Sequence, residues 1–262
     1  MKPNTQPKDK DETLDSFYHG RILVLQKEKG YRFSVDAPLL ADFIQTKASD
    51  EILELGAGNG IISLLLSIKP FRHITAVEIQ ESLADLAKRN IKLNNLENQI
   101  TVVQEDLRHY DPGRKYDVIF SNPPYIKKGQ GHVSLIEEKS IAKHEIKCDI
   151  SDVIHKAVQL LKSKGRAYFI FLARRKKDLL QVIEREGLKL KSMRYVHPRQ
   201  DSPPHFLMVE CDFSSERETT WPPFVLYDEE GSYTLEASEI FQGRTPSGRS
   251  SSNHLGQRRG RG

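Results

Sequence analysis

Asn122, Pro123, Pro124 and Tyr125 stand consecutively in this 262-residue chain and hold its most specific chemistry. An amine on an aromatic ring, or the nitrogen of an amide, is a poor nucleophile because its lone pair is delocalised. Two acceptors on its two N–H groups pull such a nitrogen toward tetrahedral geometry and aim the lone pair at an electrophile. The Asn122 side-chain oxygen and the Pro123 carbonyl are candidates for that pair. Prolines stiffen the loop that carries them, so the acceptors stay placed with little further ordering. Tyr125 offers a ring for a planar substrate to stack on, as extruded bases are held between aromatic faces.

A second constellation lies upstream. In ELGAGNG, Glu54 stands two residues before the first of three alternating glycines, Gly56, Gly58 and Gly60, and a helical apolar run follows. Glycines there allow a tight turn and let a ligand approach the backbone. Glu78 closes the next apolar run, in TAVEIQ, where a carboxylate can accept both hydroxyls of a ribose. Asp106 closes the one after, in VVQEDL, where an acid can accept from an exocyclic adenine amine. Either acid alone is more often a cap or a solvated strand end; together, in this order, they outline an adenosine site. The GxGxG turn with its preceding acid looks like the methyltransferase motif, unlike the GxGxxG of NAD enzymes, and indicates S-adenosylmethionine as cofactor. Its sulfonium is already activated, so the chemistry needs no general base. FSVDAPLLADF predicts a loop entering a helix, with Asp36 as its cap and Pro38 in its first turn. Residues 33–36, from Phe33 to the cap, are expected to close over the methionine end of the cofactor.

The elements that position these groups alternate. Apolar runs at 51–56, 73–79, 100–106, 116–122 and 166–173 predict parallel strands. Leu83, Leu86, Ala87 and Ile91 recur at helical spacing over 82–94, as do Val153, Ala157, Leu160 and Leu161 over 150–161, giving crossover helices. Extended segments at 188–196 and 205–213 flank PRQDSPP, a turn too short for a crossover helix, so they should pair antiparallel. The expected fold is α/β, a seven-stranded mostly parallel sheet with a terminal antiparallel hairpin. This layout resembles the Rossmann-like methyltransferase fold. Its expected extent is one domain over 17–242, between disordered polar tails at 1–16 and 243–262.

Composition narrows the partners. Residues 243–262 hold five arginines and no acid, so the remaining 35 basic and 36 acidic residues nearly balance, and the formal charge of +4 resides in that tail. Its Gly, Ser and Arg content is that of a disordered segment, with RRGRG able either to hold phosphates or simply to be solvated. No apolar stretch approaches the roughly 20 residues of a membrane span, and residues 1–16 lack the apolar core of a secretory signal. Cys148 and Cys211 are isolated, so neither a disulfide framework nor zinc is indicated, and a cytoplasmic home is expected. His144 and Glu145 lack further ligands, and no metal is expected. Lys127, Lys128, Lys139, Lys143 and His132 gather after Tyr125, where they are either flanking-phosphate contacts or ordinary solvated surface. Four cations at 174–177 open a predicted helix against its dipole, and suggest contact with an RNA backbone.

ELGAGNG, the two strand-end acids and NPPY together resemble the amino-methyltransferases that act on adenine, guanine or glutamine nitrogens. GRILVLQ, YRFSVDAPLLADF, NPPYIKKG, IAKHEIKCDISDVIHKA, YVHPRQ and PPFVLYDEEGSYT further resemble the bacterial tRNA adenine-N6 methyltransferase family, over about residues 14–242. The resemblance implies a tRNA substrate, modified at the adenine beside the anticodon of a valine tRNA. It carries the catalytic role to Asn122, Pro123, Pro124 and Tyr125, and cofactor contacts to Gly56, Gly58, Gly60, Glu78 and Asp106. The Arg-rich tail departs from the family pattern. Three other readings share parts of the motif set: glutamine methylation of release factors, guanine-N2 methylation of ribosomal RNA, and an inactive RNA-binding scaffold. The first of these families resembles this chain only after a sizeable helical domain, and here about fifty residues precede the first strand.

Overall fold

The computed structural model describes residues 9, 11–28, 35–123 and 148–242. Its first two elements are strands β1 (Glu12–Phe17) and β2 (Ile22–Lys27), paired antiparallel with Glu12 opposite Lys27 and Phe17 opposite Ile22. This hairpin takes in residues 12–16, which the sequence assigns to a polar tail. Its alternation is weak, and its stability comes from contacts made elsewhere in the chain. Helix α1 (Asp36–Phe43) follows, then β3 (Glu51–Leu55), α2 (Ile61–Leu66), β4 (His73–Glu78), α3 (Glu81–Leu93), β5 (Ile100–Gln104) and β6 (Tyr116–Ser121). After them come α4 (Ile150–Leu160), β7 (Leu161–Leu172), a 3-10 turn (Ala173–Arg175), α5 (Lys176–Arg185), β8 (Lys189–His197), β9 (Phe206–Asp212), β10 (Thr219–Thr220), β11 (Phe224–Val225) and α6 (Leu235–Gln242).

The central sheet runs β10-β8-β9-β7-β6-β3-β4-β5, with β11 also on β8. Strands β3 to β7 pair in parallel, and β9 enters antiparallel between β7 and β8. The seven-stranded sheet and its terminal hairpin are therefore as expected, with β10 and β11 added at the β8 edge. Each of β3 to β9 divides its side chains between two cores. Tyr168, Ile170 and Leu172 of β7 face α1, α2 and α6, while Ala167, Phe169 and Phe171 face α4 and α5. Both faces are covered, which is why these strands are apolar at nearly every position. Burying each large side chain contributes roughly 1.5–3 kcal/mol. Strand order reverses between β3 and β6, so the carboxyl ends of these neighbours frame the crevice in which ligands of such sheets bind.

Helix α3 holds the β1–β2 hairpin through side-chain amides one turn apart. Asn90 accepts from Leu25 N at 2.7 Å and donates to Leu25 O at 3.0 Å; Asn94 does the same at Leu23, at 2.9 and 2.7 Å. The two amides stand in for a neighbouring strand along β2. Arg89 adds two 2.8 Å bonds to the buried Glu12 carboxylate.

Candidate active site

The glycine turn begins where β3 ends. Gly56 and Ala57 both donate to Val77 O of β4, at 2.9 and 3.0 Å, which bends the chain across the top of the neighbouring strand. Gly56, Gly58 and Gly60 all have positive φ, between 56 and 80°, a region that side chains other than glycine rarely adopt. Gly60 has a second constraint. A Cβ there would lie 3.2 Å from Ala87 Cβ, so this glycine lets α3 pack closely behind the turn. Around Gly56, by contrast, a Cβ would meet nothing within 4 Å. Gly56 lines a slot with Val77, Ile79, Glu105, Asp106, Leu107 and Cys148. The slot is small, about 30 Å³, with largely apolar walls and Glu105 and Asp106 among its lining.

Glu78 sits beneath the turn, 5% exposed, with Oε2 accepting from Gly58 N at 2.8 Å and Oε1 from Gln80 N at 2.9 Å. Burial raises its carboxyl above the usual range, against the opposing pull of those amides and that of Ile79. Each carboxylate oxygen has more than one lone pair, so the bonds that fix Glu78 leave acceptor capacity for hydroxyls. Asp106 lies at the rim of the slot, held by Arg108, whose Nε reaches both its oxygens at 3.0 and 2.9 Å. That guanidinium keeps the Asp106 carboxyl below its usual range. Sequence reasoning missed Arg108, although its place two residues after the strand-end acid was a signal.

Glu54, the acid that the sequence offers as part of the cofactor motif, is turned toward α2. It is 1% exposed and accepts a hydrogen bond from the Ser63 hydroxyl of α2. Burial, opposed by the Ser63 bonds and reinforced by Glu78, pushes its carboxyl up to about 8. It locks α2 to β3 behind the turn. Asn59, unmarked by the sequence, is 1% exposed with neither Nδ2 nor Oδ1 hydrogen-bonded, the only side chain with two such atoms among the described residues. Buried amides are normally satisfied. A polar ligand on this loop would satisfy Asn59, and the backbone at Gly56 is open to close approach. The residues present fit an adenosyl cofactor.

The Ser121 hydroxyl donates to Leu55 O at 2.7 Å, tying the ends of β6 and β3 together so that Asn122 and Gly56 leave the sheet side by side. Asn122 Nδ2 donates to Asp36 Oδ2 at 2.9 Å, and Pro123 behind it is buried. Asp36 is not the cap of α1. Val35 takes that place without a side-chain cap bond, and Asp36 is the first helical residue, its Oδ1 accepting from Ala37 N at 3.0 Å. The expected lid at 33–36 lies outside the described residues except for Asp36. Pro124, Tyr125, the lysines at 127, 128, 139 and 143, His132, His144, Glu145 and the tail at 243–262 also lie outside them.

The four cations at 174–177 divide. Arg175 bonds Asp178 at 3.0 Å and lies 4.8 Å over the Phe171 ring, and Lys176 donates to Tyr195 Oη at 2.7 Å. Arg174 and Lys177 are exposed. Asp178 in the first turn of α5 offsets the dipole mismatch that the sequence suggests.

Sheet order, glycine turn, strand-end acids and the Asn122 loop together make this the Rossmann-like fold of S-adenosylmethionine-dependent methyltransferases. A family model, the methyltransferase small domain, matches residues 32–193. The chain belongs to that family. Similar curated relatives are named tRNA1(Val) (adenine(37)-N6)-methyltransferase. The one from Aliivibrio salmonicida is 28% identical over 182 residues, 69% of this chain and 77% of the relative. The one from Vibrio cholerae is 28% identical over 200 residues, 76% and 82%. Among solved structures, a predicted O-methyltransferase from Agrobacterium tumefaciens superposes with a TM-score of 0.60 at 18% identity, over 78% of this chain and 94% of that one. Methanocaldococcus jannaschii Trm5 in complex with adenosine gives 0.56 at 17% identity, over 80% and 59%. No helix among the described residues is long and apolar enough to cross a membrane.

Proposed function

We propose that this protein is a tRNA methyltransferase acting on the exocyclic N6 amine of an adenine, with adenine 37 of a valine tRNA as its target and the cytoplasm as its place of action. The observation that carries the reading is the Asn122 amide, fixed at the carboxyl end of β6 beside the glycine turn of β3. The names of the curated relatives supply the substrate. S-adenosylmethionine, when bound, supplies an activated methyl group.

In this reading Glu78 accepts ribose hydroxyls, Gly56, Val77, Ile79, Leu107 and Cys148 enclose the adenine, and Asp106 meets its amine edge beside Arg108. Gly58 shapes the turn and anchors Glu78, while Gly60 and Glu54 support it from behind. Asn122 Oδ1 and Pro123 O accept the two N–H bonds of the target amine, localising its lone pair, and the proton leaves to solvent after transfer. Pro124 and Tyr125 continue this loop, with Tyr125 stacking on the extruded base.

The test is incubation with labelled S-adenosylmethionine and unmodified tRNA, followed by nucleoside mass spectrometry. Label in N6-methyladenosine, abolished by Asn122→Ala while tRNA binding persists, is the expected result. Unlabelled RNA together with methylglutamine in an added release factor would overturn the substrate.

A further inference from the structure

The sequence offers Asp36 either as a helix cap or as part of a cover over the cofactor. The cap falls to Val35, and the described surroundings of Asp36 give it a further task. It is the first residue of α1, 5% exposed, with one carboxylate oxygen on Ala37 N at 3.0 Å and the other on Asn122 Nδ2 at 2.9 Å. A carboxylate only accepts hydrogen bonds, so the Asn122 amide must turn its nitrogen toward Asp36 and its oxygen the other way.

We infer that Asp36 is a positioning residue for methyl transfer, its carboxylate fixing the Asn122 amide with Oδ1 toward the target amine. This rests on the methyltransferase reading above. The reverse orientation would point N–H groups at the amine and offer a donor to the lone pair that must attack. The two orientations of an amide differ little in shape, so hydrogen bonding alone selects between them. A charge-assisted bond in a nearly buried setting selects strongly, and it draws electron density toward Oδ1, making that atom a better acceptor. The Asp36 charge also favours the positive charge that grows on the nitrogen as the methyl arrives. Sequence distance conceals the pair: 86 residues separate the partners.

Asp36→Asn tests the idea without changing volume. The new side chain has a single oxygen. If that oxygen stays on Ala37 N, the new NH2 group faces Asn122 and turns the catalytic amide around. Turnover on tRNA is expected to fall about 10- to 100-fold, while S-adenosylhomocysteine and tRNA affinities remain within about threefold of wild type. The exchanged pair, Asp36→Asn with Asn122→Asp, restores an acceptor-only group at 122 oriented by a donor at 36, and should turn over faster than Asp36→Asn alone. Undiminished turnover in Asp36→Asn, a loss of cofactor affinity matching the loss of rate, or an exchanged pair no faster than the single variant would each overturn the inference. A wild-type enzyme that binds S-adenosylhomocysteine yet methylates no tRNA would instead overturn the substrate reading.

Discussion

Replacing Asn90 by alanine removes three hydrogen bonds at once. The side chain is fully buried and serves Leu25 N at 2.7 Å, Leu25 O at 3.0 Å and Asn59 O at 3.0 Å. Alanine satisfies none of them, and the site lies under β2, where water enters only if the hairpin lifts. Leaving a buried polar group without a partner costs about 1–3 kcal/mol. Three such groups, partly relieved by lifting of the hairpin, give an expected loss of about 3–6 kcal/mol, well beyond the usual effect of a point substitution. Urea unfolding followed by far-UV circular dichroism measures the loss, and hydrogen exchange at the Leu23 and Leu25 amides localises it. Because Asn90 also holds the Asn59 carbonyl of the glycine turn, S-adenosylhomocysteine affinity should fall in parallel. A variant within about 1 kcal/mol of wild type, with Leu25 N–H as protected as before, would refute the view that this amide pins the hairpin.

Glu54→Gln addresses the buried acid behind the turn. Its carboxyl, ordinarily at 4.5, is raised to about 8 in the fold, so the folded chain holds a proton that the unfolded chain has released. Wild-type stability should therefore fall as pH rises from 4.5 toward 8, with a contribution on the order of 4 kcal/mol, while the glutamine variant loses that slope; parallel curves would contradict the assignment. Glu12 behaves oppositely. Burial raises it, but Arg89, the Asp9 amide and Lys27 prevail and bring it to about 2, so its stabilisation is present above 4.5 and lost as pH falls toward 2. Acid should release the hairpin, and Glu12→Gln should remove that dependence in hydrogen exchange. Gly60→Ala, with positive φ and a 3.2 Å contact, should lose about 1–3 kcal/mol of stability. Gly56→Ala carries similar backbone strain without a clash, and should show an additional loss of S-adenosylhomocysteine binding by calorimetry.

The sheet was legible because strands covered on both faces must be largely apolar, as β3, β4, β6 and the second half of β7 are. Their carboxyl ends, and with them Gly56, Glu78, Asp106 and Asn122, could be placed from that pattern alone. The hairpin was not legible. Its sequence alternates weakly, and what secures it is α3, through Asn90, Asn94 and Arg89, which in isolation look like the polar side of an amphipathic helix. Glu54 and Asp36 show the same limit at the site. Periodicity puts an acid near a ligand, but whether it faces the ligand, Ser63 or Asn122 depends on elements far apart in sequence. The cations at 174–177 were read as one group, whereas aromatic rings and Asp178 hold two of them.

The outer edge of β8 is closed by residues 219–227. Thr219 and Thr220 pair with Ser192 and Met193, Phe224 and Val225 with Val196 and His197, and Pro222 and Pro223 span the interval. Prolines have no N–H to offer, so the strip covers β8 while presenting a poor template for another strand. Sheet growth at the β8 edge therefore ends within the molecule, and self-association by pairing along that edge is suppressed by two short strands and a pair of prolines. A chain cut after β9 would uncover β8 and also take Phe224, Leu226, Ala237 and Ile240 out of the core beside α1, so it would lose solubility and the support of the helix that carries Asp36 together.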